Sequence, residues 1–193
     1  MESRTSHTTL HANHVGITVS SVDDALAFWN QALGLKTMEL TIPSADREDE
    51  LTETLSGVKG AKVKVAHVEV TPGFVVELIE YTSPPAEKGV TIKSKPNLPG
   101  TMHLNLQVKG LDGILEKGRQ LGWKMVDEAG IVTLPDDGPG LAGTRVVYLQ
   151  GPNQEMVELV EVPQQTQIHE LGVPEDVSDA YEKGNKDEPI ELE

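Results

Sequence analysis

The chain has no cysteine among its 193 residues, which excludes disulfides, thiolate metal sites and a cysteine nucleophile. Aromatics are scarce, with two tryptophans, three tyrosines and two phenylalanines. No apolar run approaches the roughly 20 residues that span a bilayer, so no membrane partner is expected. The opening stretch MESRTSHTTLHAN lacks an apolar core followed by a small-residue cleavage site. A secretory signal is therefore not expected, and the default compartment is the cytoplasm. Positive charge is also short. Sixteen lysines and arginines face 31 aspartates and glutamates, a formal net charge of −15, which argues against a nucleic-acid partner because that partner needs a basic surface.

The length suits one well-packed domain, or two small fused modules sharing a core. Much of the negative charge lies in residues 163–193, where nine acidic residues face two lysines. This segment reads as an acidic C-terminal extension, mobile or surface-wrapping, with one short helical stretch at PEDVSDAYEKG. It is either a solvated tail or a docking arm for a partner subunit.

What is present is an alternation that occurs twice. In MHLNLQV, residues 102–108, Met102, Leu104, Leu106 and Val108 line one face of a strand. His103, Asn105 and Gln107 line the other, because strand side chains alternate with period two. NHVGITV, residues 13–19, has the same form: Val15, Ile17 and Val19 on one side, His14, Gly16 and Thr18 on the other. Each polar row starts with a histidine and lines the predicted cavity, where Thr18, Asn105 and Gln107 would orient a small oxygen-bearing ligand by hydrogen bonds.

The repeat continues beyond these strands. A helix follows each one, with Ala25, Phe28, Trp29 and Leu33 as its apolar face in the first copy and Leu111, Ile114, Leu115 and Leu121 in the second. Ser20 or Ser21 can cap the first helix, and Gly34 and Gly122 suit left-handed C-terminal positions. Strands are predicted at about 35–42 and 123–128. A short exposed helix is predicted in SADREDELTETLSG, and a glycine- and proline-rich loop at 133–143. Each half then closes with two strands, KVKVAHVEV and FVVELIEY, then TRVVYLQ and EMVELVE, joined by turns at 71–73 and 151–153. The fold class is α+β, with two tandem βαβββ modules forming a curved mixed sheet around a cavity. The first module covers 11–83, a linker 84–99, the second module 100–162.

The closing strands share V-E-L-[IV]-E, so Glu77 and Glu80 fall on opposite faces, as do Glu158 and Glu161. Parity alone does not say which glutamate faces inward. One histidine and one glutamate from each module would meet in a pseudo-twofold arrangement. Two imidazoles and two carboxylates suit a divalent metal with room for water or substrate. Zinc, nickel, cobalt, manganese and ferrous iron all accept such ligands. His67 sits mid-strand without a histidine at the equivalent place in the repeat, and reads as structural or cavity-lining. His7, His11 and His169 read as solvated. Tyr148 shares parity with Val146 and Gln150 and is a candidate substrate contact or packing residue.

Together these motifs resemble the vicinal oxygen chelate superfamily, which includes glyoxalase I, methylmalonyl-CoA epimerase, extradiol dioxygenases and the bleomycin- and fosfomycin-resistance proteins. NHVGITVSSVDDALAFWNQALGLK is similar to its opening strand and helix, and FVVELIEY, MHLNLQV and QEMVELVE to its other metal-bearing strands. The resemblance implies metal ligands at His14, Glu77, His103 and Glu158, and leaves Glu80 and Glu161 as surface or helix-facing residues. It also implies a homodimer, since members of the family often pair, with the site built within one chain or between two. Gly151-Pro152-Asn153-Gln154 departs from the family's usual last turn, and no arginine pair stands out to bind a glutathione carboxylate.

Four available ligands, two of them glutamates, favour acid–base chemistry over a two-histidine, one-carboxylate iron site. The expected function is that of a metal-dependent isomerase, epimerase or lyase acting on a small-molecule substrate. The metal would stabilise an enolate, and Glu77 or Glu158 would act as the catalytic acid or base. The alternatives are an extradiol-type dioxygenase with Fe(II) and a metal-free binder of the bleomycin-resistance type.

Overall fold

The computed structural model describes residues 11–38, 50–85, 94–135 and 142–163. Strand β1 (His14–Thr18) runs parallel to β4 (Phe74–Ser83), which pairs antiparallel with β3 (Lys62–Thr71), and β3 pairs antiparallel with β2 (Lys36–Thr37). The first sheet is thus ordered β1-β4-β3-β2. Helix α1 (Val22–Ala27) passes into a π-helical turn, Phe28–Ala32, and α2 (Glu50–Ser56) precedes β3.

The second half repeats the plan with β5 (Leu104–Gln107), α3 (Leu111–Gln120), β6 (Lys124–Met125), β8 (Arg145–Gln150) and β9 (Met156–Glu161). Its sheet is ordered β5-β9-β8-β6, with β5 parallel to β9. The α+β class and the expected strand–helix–strands order are both present. One short strand was not expected: β7 (Val132–Thr133) pairs with β8 at the start of the predicted glycine- and proline-rich loop. Among the described residues the two sheets share no strand pairing. The acidic tail from 164, residues 39–49, residues 86–93 of the expected linker, the loop at 136–141, and His7 and His169 lie outside the described residues.

One core serves both halves. Val68, Val76 and Leu78 of the first sheet join Leu106, Val147, Leu149, Val157 and Leu159 of the second in a single cluster. The helices lie in that cluster, through Val22, Ala25, Phe28 and Trp29 on one side and Leu111 and Ile114 on the other. Each fully buried aliphatic side chain here contributes about 1.5–3 kcal/mol. Val15 and Ile17 of β1 and Leu104 of β5 pack against the same cluster. By alternation, the residues between these face away from the helices. Both sheets therefore turn one apolar face to a shared helical layer, and among the described residues no element packs over the other face.

The second glutamate of each V-E-L-[IV]-E motif takes the helix side. Glu80 Oε2 accepts a hydrogen bond of 2.9 Å from the Val22 amide, in the first turn of α1. Glu161 Oε1 accepts from the amides of Gly110 and Leu111, at 2.7 and 3.0 Å, where α3 begins. Gly110 has φ 76° and carries no side chain to cap the helix, so the strand glutamate satisfies amides that the helix leaves unpaired. Ser21 caps α1 in the ordinary way, its Oγ accepting from the Asp24 amide. Ser20 does something else. Its amide and hydroxyl both donate to Asn153 Oδ1, at 2.9 and 2.7 Å, tying the first helix to the last turn of the second half.

Candidate functional site

The first glutamate of each motif takes the open face. In β4, Glu77 lies beside Gly16 of β1 and His67 of β3. In β9, Glu158 lies beside Asn105 of β5 and Tyr148 of β8. The two halves thus carry matching rows, Gly16–Glu77–His67 and Asn105–Glu158–Tyr148, each with a histidine two residues before its first member. His67 has a counterpart after all. It is a tyrosine, which a comparison of residue identities does not reveal and a comparison of strand register does.

The histidine–glutamate pairs are close. His14 Nε2 is 3.8 Å from Glu77 Oε2, and His103 Nε2 is 3.3 Å from Glu158 Oε2. Metal–ligand bonds of roughly 2.0–2.2 Å at tetrahedral angles put neighbouring ligand atoms about 3.3–3.6 Å apart. The second pair has that spacing, and the first is a few tenths of an ångström wider. The donor types of both pairs fit a divalent cation, and so does the spacing of the second pair.

The first pair has hydrogen-bonding neighbours on both members. His14 Nδ1 is 2.8 Å from Asn13 Oδ1, and His67 Nε2 is 2.8 Å from Glu77 Oε1. In the second pair, the Tyr148 hydroxyl is 3.4 Å from His103 Nε2, and the two rings meet edge to face with centroids 5.0 Å apart. Burial pushes the Tyr148 phenol upward from its ordinary pKa, and the charge and hydrogen bonding of Glu158 add to that. Tyr148 is therefore a phenol, hence a hydrogen-bond donor, throughout the neutral range.

Not all sequence-predicted site residues meet. His14 joins Glu77 and His103 joins Glu158, but among the described residues no three histidine, aspartate or glutamate side chains are arranged to hold a metal ion. The two pairs remain separate within one chain. Both histidines are open to solvent, with 45% and 42% of their side-chain surface exposed. Thr18 is exposed beside Ile79 on the open face, and Asn105 and Gln107 are exposed beside Glu158 and Val160. A groove of about 460 Å³ between Leu33, Val70 and Phe74 and strand β5 borders Asn105 and Gln107 but contains neither pair. His11 is exposed, as expected.

The model of the glyoxalase/bleomycin resistance protein/dioxygenase superfamily matches residues 13–139. The chain belongs to this superfamily. Solved structures agree on the fold. A glyoxalase family protein of Bacillus cereus superposes with a TM-score of 0.64 at 21% identity, over 83% of this chain and 99% of that one. A glyoxalase/bleomycin resistance protein/dioxygenase domain of Frankia sp. EAN1pec gives a TM-score of 0.52 at 16% identity, over 84% and 98%. No curated protein matches the chain. Membership places the chain in a superfamily of metal-dependent enzymes and resistance proteins, many of which use a divalent metal ion.

Proposed function

We propose that this superfamily member is a divalent-metal-dependent isomerase, epimerase or lyase acting on a small oxygen-bearing substrate. Its site forms where His14 and Glu77 of one copy meet His103 and Glu158 of a second copy. The observation that carries this reading is the pair of matching His–Glu couples at equivalent register positions on two open sheet faces. Among the described residues β1 and β5 are the terminal strands of their sheets, so the histidine of each couple stands beside a sheet edge and its glutamate one strand in. On this reading each couple supplies half of a site, and a second copy supplies the other half. Half-buried apolar residues on the same faces, Val65 and Ile79 in the first sheet and Val146 and Val160 in the second, also call for a cover. A homodimer with two equivalent sites satisfies these demands at once.

His14, Glu77, His103 and Glu158 would hold a divalent cation, which when bound would supply Lewis acidity toward a substrate carbonyl or vicinal oxygen pair. The protein's own part is proton movement and orientation. Glu77 or Glu158 takes the proton from the carbon next to the carbonyl and returns it to the same or a neighbouring atom. A carboxylate holding a cation would be a weakened base, so the glutamate that moves the proton near neutral pH would be the one less tightly engaged by it. Asn105, Gln107, Thr18 and Tyr148 orient the substrate oxygens.

Metal analysis and complementation test the reading. Gently purified protein should hold about one zinc, nickel, cobalt or manganese ion per chain, and His14→Ala/His103→Ala should hold none. A chain carrying His14→Ala/Glu77→Gln and another carrying His103→Ala/Glu158→Gln should each be inactive alone. Mixed and re-equilibrated, they should recover about a quarter of the wild-type sites, because half the dimers are mixed and each has one intact site. Recovery of none would place the site within one chain. Iron with oxygen uptake on a catechol would instead favour the dioxygenase, and no metal after reconstitution would favour the binder.

A further inference from the structure

The two His–Glu couples share their ligand types but differ in what surrounds them. In the first couple, each ligand is held by the atom it does not need for a metal. A neutral imidazole has one N–H and one lone-pair nitrogen, and the nitrogen that donates a hydrogen bond fixes which is which. His14 Nδ1 faces the amide oxygen of Asn13 at 2.8 Å, so the proton sits on Nδ1 and Nε2 keeps its lone pair. An ionised carboxylate only accepts, so His67 Nε2–H donates to Glu77 Oε1 over 2.8 Å. That occupies Oε1 and leaves Oε2 outward. The two atoms left over, His14 Nε2 and Glu77 Oε2, face each other at 3.8 Å. Both are electron-rich, and a cation between them turns a repulsion into two bonds.

The second couple lacks this arrangement. Met102 stands where Asn13 stands in the first, and cannot accept the hydrogen bond from an imidazole as an amide oxygen does. Tyr148 stands where His67 does, and its hydroxyl lies 3.4 Å from the ligand nitrogen His103 Nε2, the atom a metal would use.

We propose that Asn13 and His67 are positioning residues that preorganise the first couple, making His14 and Glu77 the half of the site that captures the metal. His103 and Glu158 complete its coordination. The idea rests on the metal-dependent reading above and adds to it an order among the ligands. Groups that orient a metal ligand through its second atom typically contribute 10–100-fold in metal affinity.

The probe is cobalt(II) alone, added to the full-length, metal-stripped protein, with affinity read by chelator competition and ligand geometry by the visible absorption of the bound ion. Asn13→Ala and His67→Phe are each expected to weaken cobalt binding by 10–100-fold and to change the absorption bands. Asn13→Asp keeps an acceptor oxygen for His14 Nδ1, and His67→Gln keeps an N–H at the Nε2 position. Both are expected to bind within a few-fold of wild type. Tyr148→Phe, the register equivalent in the other half, is expected to bind normally. Should His67→Phe disturb the sheet by circular dichroism, His67→Ala replaces it. Unchanged affinity and spectrum in Asn13→Ala and His67→Phe would overturn the proposal while leaving the metal reading intact. Equal losses in His67→Gln and His67→Phe would also overturn it, by making His67 a ligand itself. A wild-type protein that binds no cobalt would sink both.

Discussion

Phe28 stacks on Trp123, with ring centroids 3.7 Å apart and planes 16° from parallel. Phe28 closes the first helix and Trp123 follows the second, so this contact joins the two halves of the chain. Gly118 of α3 makes room for it, because a Cβ there would come 3.3 Å from the Phe28 ring. Both aromatic residues are almost fully buried. Replacing either by alanine should cost about 3–5 kcal/mol, read from urea unfolding. A double-mutant cycle should return about 0.5–1.5 kcal/mol of direct coupling. Additive losses would mean that the rings share a core without recognising each other.

The strand-to-helix caps give a second expectation. Glu161→Gln weakens two hydrogen bonds to the start of α3 and the contact with Arg145 Nη1 at 2.8 Å. The loss should be about 1 kcal/mol, in the range of other helix caps. Hydrogen bonding from the Leu111 amide is the largest cause that lowers the Glu161 pKa, with Gly110 and Arg145 adding to it. A lowered carboxylate pKa stabilises the fold above the unfolded value, near 4.3, and the benefit disappears as pH falls through the folded value. The wild-type advantage over Glu161→Gln should therefore hold at neutral pH, shrink as pH falls below the unfolded value, and disappear once pH is below the folded value.

Glu155 behaves in the opposite sense. Burial raises its carboxyl pKa, against hydrogen bonds from its own amide and from Asn153, and Oε2 is buried without a partner among the described atoms. A raised pKa favours folding while the group stays protonated, and that contribution is lost as pH rises through the folded value. Glu155→Gln should be the more stable protein at neutral pH, with the difference shrinking under acid. Melting temperatures across pH 4 to 8 check the sign. A variant less stable than wild type at pH 8 would mean that the ionised carboxylate has a partner.

Tyr148 offers a test of substrate handling. On the proposed function, the phenol beside Glu158 would donate to a substrate oxygen. Tyr148→Phe should raise KM by about 5–10-fold, the worth of one hydrogen bond near 1 kcal/mol. Metal content should be unchanged. A collapse of metal binding instead would make the hydroxyl part of the cation's support.

Much of the fold was legible because period-two alternation and helical spacing each appear twice. The assignment of His14 and His103 to open faces follows from Val15, Ile17, Leu104 and Leu106 having to reach the core. The resemblance left Glu80 and Glu161 as surface or helix-facing residues, but their capping role did not follow, since a helix amide dozens of residues away decides it. His67 was passed over for a related reason. Its equivalence to Tyr148 is one of strand register, set by backbone pairing, and the two side chains share no chemical type. Strand β7 was hidden because Val132 and Thr133 pair with β8 only through a loop whose closure the local sequence does not announce. The separation of the two His–Glu couples within one chain is a tertiary matter. It follows from both sheets packing on one shared core, not from any motif.

The capping glutamates also act as register keys. Glu77 and Glu80 are three residues apart on one strand and face opposite ways, as do Glu158 and Glu161. A slip of β4 or β9 by a single residue would drive the open-face carboxylate into the apolar core and pull the helix-side carboxylate out of reach of its amides. Each strand is thus checked at both faces by the same residue type. The helix that reads Glu80 or Glu161 thereby aims Glu77 or Glu158, so a lesion at the start of α1 or α3 should be felt as a misdirected carboxylate on the far side of the sheet.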